Sequence, residues 1–252
     1  MPTTLNWAGP STLAAARPGD TVIVPAGIHD TAPFNISTSH LTLQIDGVLR
    51  SSAARRDWPL LPPLPTYGRD RDGAKARRHQ ALILLHNAHH VTIRGSGSID
   101  GGGPWWWNHR HEHSAGRPHL IEVHSCSHIE ISGLRLLDSP FWTVHLYNSS
   151  HLHLHDLTIR ASARDTPPQT KKKKRVYEGM APLWSPNTDG INPDSSRHVL
   201  IENNDVSVGD DHIAIKSGMN DVARGGGYST ENVTVRHNTF RLGMGVSIGS
   251  ET

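Results

Sequence analysis

Three acids in the stretch NTDGINPDSSRHVLIENNDVSVGDDHIAIKSG, residues 187–218, have no cysteine or run of cations nearby to neutralise them: Asp189 alone, and Asp210 next to Asp211. Carboxylates that converge cannot all ionise freely, because mutual repulsion raises the pKa of at least one. A protonated acid beside ionised carboxylates suits glycoside hydrolysis, where one group protonates the leaving oxygen and another activates water. The same cluster also suits Ca²⁺ or Mg²⁺, which take carboxylate oxygens. A structural reading competes with both: Asp189 caps a turn through NTDG, and GDD at 209–211 is a solvated loop. The choice depends on whether the backbone brings Asp189 beside the pair.

The elements available to do so are short and repetitive. A polar residue, often His or Asn, is followed by an apolar residue, any residue and another apolar one. Copies are SHLTL from Ser39, HHVTI from His89, SHIEI from Ser127, SHLHL from Ser150, RHVLI from Arg197 and ENVTV from Glu231. After each of the last five comes a turn residue and a second alternation: GSGSID, GLRLLD, DLTIRA, NDVSVG, NTFRLG. Period-two alternation with polar punctuation predicts strands and turns. Only STLAAARPG near the start predicts a helix. Repeats of this kind, with 23 residues between the third and fourth copies, predict an all-β parallel solenoid. An antiparallel sandwich is the alternative, but two-residue hairpin signals between the strands are missing. In a solenoid, residues one repeat apart stack about 4.8 Å apart. Asp189 and Asp210 are then expected side by side on adjacent coils. Asp210 and Asp211 can share one cleft only if the backbone bends, and Gly209 is placed to permit it.

Composition excludes classes without naming one. No apolar run approaches the length needed to span a bilayer, so no membrane partner is expected. A formal charge of +2 is too small to suggest nucleic acid. Cys126 is the only cysteine, which leaves core packing rather than disulfides to hold the fold. The opening MPTTLNWAGP carries no basic segment followed by an apolar core, so no secretory signal is visible and a cytoplasmic location stays open. Nothing in the sequence indicates an oligomeric state.

Other features have bland readings. The basic segment 163–184, which contains KKKKR, is expected to be a loop insertion in a single domain spanning 1–252. Capture of a polyanion is the alternative. RDRDGAKARRH, residues 69–79, reads as another mobile loop. His151, His153 and His155 fall on one strand face, as do His109, His111 and His113 if extended. Three imidazoles on a face can hold zinc, yet biased composition explains them as well, and no metal site is assigned. Trp105, Trp106 and Trp107 are read as core packing in preference to a sugar-stacking platform.

Several of these stretches together resemble glycoside hydrolase family 28, the polygalacturonases. They are SPFWTVHL (139–146), SPNTDGINPDSS (185–196), VGDDHIAIKSG (208–218) and GMGVSIGSE (243–251), with GDTVIVPAG (19–27) and GSGSIDGGGPWWW (95–107) upstream. The resemblance implies a right-handed parallel β-helix that cleaves the α-1,4 bonds of galacturonan in pectin with inversion, needs no cofactor and acts outside the cell. By position, Asp210 matches the family's general acid, and Asp189 and Asp211 match the pair that activates water. Lys216 matches a cleft lysine that can meet a uronate carboxylate, and Asn187 opens the same motif. Trp142 and His145, after SPFW, are further substrate-binding candidates. Two departures are visible. Met244 stands where the family has a cleft histidine, and a thioether cannot usefully donate or accept there. The sequence also stops at Thr252, before the coils that carry the family's arginine and lysine. A C-terminally incomplete helix with an exposed apolar edge is therefore expected.

Overall fold

The computed structural model describes residues 1–52, 58–67, 77–110, 115–161 and 185–249. The predicted insertion at 163–184 and residues His111 and His113 lie outside these. Among the described residues, three parallel sheets of eight, seven and seven strands run the length of the molecule. A fourth, two-stranded antiparallel pair joins Leu60–Leu61 to Arg78–His79. Each coil contributes one strand to each long sheet and then returns to the first, giving a right-handed parallel β-helix. The sandwich alternative is thereby excluded.

All six copies of the sequence repeat are strands of the eight-stranded sheet. Their apolar positions stack in register: Leu41, Val91, Ile129, Leu152, Val199 and Val233 form one column. Leu43, Ile93, Ile131, Leu154, Ile201 and Val235 form the next. Most of these side chains are buried in one continuous core. At about 25 cal/mol per Å² of apolar surface removed from water, burial of this kind is the main stabilising term, and no disulfide assists, because Cys126 is free. Ile129 pairs with Leu152, so that coil has the 23 residues read from the sequence.

The chain enters each repeat strand of the eight-stranded sheet through a left-handed residue. His40, His90, His128, His151, His198 and Asn232 all have φ between 51° and 56°. Asn and His are among the residues that tolerate this region. The first helix runs Pro10–Ala15, as STLAAARPG suggested, whereas Gly103–Asn108 and Asp221–Arg224 are helices that the alternation did not reveal. Trp106 and Trp107 of the second helix are buried, and Trp107 Nε1 donates to the Ser139 carbonyl (3.0 Å). They are core, as read. Phe240, Met244, Val246 and Ile248 are exposed on the last described coil.

Gly209 matters through close approach. A Cβ there would lie 1.9 Å from the Ser185 carbonyl oxygen. Gly209→Ala is expected to cost about 2–3 kcal/mol and to displace the following Asp210. Urea unfolding measures the cost, and a midpoint equal to that of the parent chain would show that the contact yields freely.

Candidate functional site

Register in the third sheet places the acids. Ile121 pairs with Val144, Val144 with Ile191, and Ile191 with Ile213. Two positions earlier, the same register carries His119, Trp142, Asp189 and Asp211 in one column. Asp189 therefore stacks on Asp211, and Gly190 N–H donates to the Asp211 carbonyl (2.9 Å). The expectation that Asp189 sits opposite Asp210 is off by one residue, because this coil is 22 residues long. Asp210 and Asp211 lie in the bend between the second and third sheets. Strand alternation does not apply there, so both acids can serve the same cleft.

Each acid has a distinct environment. Asp189 is 3% exposed, with Lys216 Nζ 3.4 Å from its carboxylate. Burial pushes the Asp189 carboxyl up to about 7; Lys216 opposes this, while Asp210 and Asp211 add to it. Asp210 is more open. Burial raises it too, with Asp211 contributing and the N–H groups of Asp211 and Asn187 opposing. Asp211 accepts a hydrogen bond from Ser247 Oγ (2.5 Å). The backbone N–H of Met244 donates to the Asp210 carbonyl (2.9 Å) while its side chain is 62% exposed. Met244 thus holds Asp210 through the main chain.

Lys216 is 2% exposed, and its ammonium also lies 4.2 Å from the centre of the Trp142 ring. It sits beneath the surface against Asp189, a less open position than the sequence suggested. Trp142, His145 and Asn187 line a groove of about 630 Å³. Arg77, Arg78, Arg110 and Arg117 line it as well, with no carboxylate among its described lining residues. His145 Nε2 donates to buried Asp194 (2.9 Å), which also accepts from Tyr67 Oη (2.5 Å), Ser195 Oγ (2.9 Å) and Gly218 N–H (3.1 Å). Burial would raise Asp194, but these bonds, led by His145, more than offset it and its carboxyl is lowered.

Sequence reasoning missed the arginines, Tyr67, His119 and Asp194. Arg117 donates to Asn187 Oδ1 (2.8 Å) and to the carbonyls of Pro186 (2.6 Å) and Pro140 (2.9 Å). Burial, chiefly, lowers its guanidinium to about 10. Arg78 forms a forked pair with buried Glu122 (2.5 and 2.8 Å). The stretch 69–79, read as a mobile loop, therefore ends in a groove-wall strand, residues 69–76 being outside the described set. No local motif marks these residues, because their partners are distant in sequence. Several buried polar atoms on the same face lack a partner among the described residues: both amide atoms of Asn192, His119 Nδ1 and His145 Nδ1. Buried groups of this sort normally find partners.

The predicted histidine face forms in part: the rings of His153 and His155 lie 4.2 Å apart on the outer side of the strand, opposite buried Leu152 and Leu154. His151 stacks in the turn column between His128 and His198, turned there by its left-handed backbone. His153 and His155 bond Glu202 (2.9 Å) and Asp156 (2.7 Å). His109 is at a helix end, its ring on Trp105. No helix among the described residues is long and apolar enough to cross a membrane.

Comparison with known proteins follows the same lines. The profile of glycosyl hydrolases family 28 matches residues 20–252. A probable polygalacturonase of Vitis vinifera is 39% identical over 226 residues, covering 88% of this chain and 42% of the relative. An endo-polygalacturonase of Pectobacterium carotovorum subsp. carotovorum is 30% identical over 185 residues, 68% of this chain and 40% of its own length. The solved family 28 exopolygalacturonase of Yersinia enterocolitica superposes with a TM-score of 0.78 at 17% identity, covering all of this chain and 51% of that one, a likeness of fold alone. The chain spans less than half the length of the curated relatives it matches.

Proposed function

Because the chain belongs to glycosyl hydrolases family 28, we propose that it hydrolyses α-1,4-galacturonosidic bonds of pectin with inversion, outside the cell. The observation that supports this most is the convergence of Asp189, Asp210 and Asp211 at one corner of the helix, beside a groove walled by arginines. A polyuronate carries a carboxylate on every sugar. With Arg78 already paired to Glu122, the guanidinium groups of Arg77, Arg110 and Arg117 favour such a chain and raise its local concentration.

In this reading the glycosidic C1–O bond breaks as Asp210 gives its proton to the leaving oxygen. Water attacks C1 from the opposite face and gives its proton to the Asp189–Asp211 pair. Water is the only co-reactant. Asp210 suits the acid role because it combines a raised pKa with the most open position of the three. Lys216 suits a positioning role, favouring the charged form of Asp189. Trp142, His145 and Asn187 are assigned to sugar contact from the groove wall.

Incubation with polygalacturonate is the test. The expected result is a rise in reducing ends without an unsaturated, ultraviolet-absorbing product, the first sugar released being the inverted anomer. An unsaturated product would replace hydrolysis with elimination. Binding of oligogalacturonate without cleavage would reduce the chain to a carbohydrate-binding helix.

A further inference from the structure

Away from the groove, the histidine column gains one extra ring, His89, at a single rung. Along most of it the rings lie flat on one another: His90 on His128 at 4.5 Å and 3°, His128 on His151 at 4.6 Å and 4°. The stack continues through His40 on His90, at 4.8 Å and 9°, and parallel rings alone do not aim their lone pairs at one ion. The sequence doubles the histidine only in the copy HHVTI, and there the geometry differs. His89 stands almost perpendicular to both His40 (4.9 Å, 90°) and His90 (5.3 Å, 86°). His89 Nδ1 and His90 Nδ1 are 3.0 Å apart, and ring nitrogens of all three residues lie within 4.8 Å of one another.

The backbone is prepared for this. His90 has φ 54°, which breaks strand alternation and leaves both His89 and His90 exposed. His40 N–H donates to the His89 carbonyl (2.9 Å), and His89 N–H to Ser39 Oγ (3.1 Å), so two successive coils are locked together beneath the rings. Elsewhere, His153 and His155 have nitrogens occupied by carboxylates. The chemistry here is imidazole.

The geometry points to a surface site for a divalent late first-row transition ion, with Zn²⁺, Ni²⁺ and Cu²⁺ as the fitting class, held by His40, His89 and His90. Imidazole nitrogen suits these ions, whereas Ca²⁺ and Mg²⁺ demand oxygen. A tetrahedral zinc at about 2.0–2.1 Å from each nitrogen needs them about 3.4 Å apart. His40 must therefore rotate out of its stack on His90 to share an ion, while the Nδ1 atoms of His89 and His90, 3.0 Å apart, need only separate slightly. The bound ion would tie two coils whose connection runs through residues 41–88.

The test uses the whole chain, stripped with chelator and titrated with ZnCl₂ alone by calorimetry, with the melting midpoint followed in parallel. One equivalent is expected, together with a rise in midpoint that CaCl₂ does not reproduce. His89→Ala and His40→Ala should each weaken binding at least tenfold and remove that rise. His151→Ala, elsewhere in the column, should leave both intact. His89→Gln serves as a second, polar variant should alanine disturb the turn. Absence of binding, or binding that His89→Ala and His89→Gln leave unchanged, would overturn the site, as would loss of affinity spread evenly along the column.

Discussion

Asp210→Asn is expected to lower kcat by about a thousandfold, within the range contributed by a positioned acid, while KM changes by only a few fold. Asparagine has the same shape and can still accept the Asp211 N–H at Oδ1, as Asp210 does now (3.0 Å). The Met244 N–H bond goes to the main-chain carbonyl and is untouched. What disappears is the transferable proton and one of three mutually repelling charges, so binding of an anionic sugar should hold or tighten. Initial-rate kinetics on polygalacturonate, with oligogalacturonate binding measured separately, make the comparison. Turnover within tenfold of the parent would remove Asp210 from the chemistry.

Asp189→Asn has a second signature, in stability. The carboxyl is raised from an ordinary 3.8 to about 7, mainly by burial. For a raised carboxyl the folded state holds its proton longer than the unfolded chain does. Its effect is absent below about pH 4. Stability then falls as pH climbs toward 7, and above 7 the cost levels off at about 4 kcal/mol. That figure already includes the attraction to Lys216, so asparagine, neutral like the protonated acid, is expected to be more stable than the parent by up to about 4 kcal/mol above pH 7. Hydrolysis should drop at least a hundredfold at the same time. Urea unfolding from pH 4 to 8.5 separates the outcomes. A variant less stable than the parent at every pH would show that Asp189 is held at no cost. A more stable, inactive variant would show a chain that gives up stability to keep a carboxylate buried where water must be activated.

The helix was legible because its core repeats along the chain. Six copies of one alternation became six rungs of one sheet, since burying two apolar positions per strand demands that pattern. The acids were legible as a cluster, but their pairing was not. Asp189 meets Asp211 because its coil has 22 residues, and a difference of one residue cannot be read from motifs whose connections vary in length. The groove wall was not legible at all. Arg117 reaches Asn187 across 70 positions and Tyr67 reaches Asp194 across 127, contacts that only the closed coils create. Of the predicted His151–His153–His155 row, His153 and His155 stay in ring contact, whereas His151, at φ 56°, stacks with histidines of the neighbouring coils.

Rungs of the eight-stranded sheet keep their phase although the chain between them ranges widely. Val91 follows Leu41 by 50 positions, while Leu152 follows Ile129 by 23. Length added in a connection projects sideways, and the spacing of the ladder stays the same. A lineage can therefore lengthen, shorten or exchange an excursion without moving the register that seats Asp189 on Asp211. Such a scaffold lets its connections drift while the acidic corner stays put.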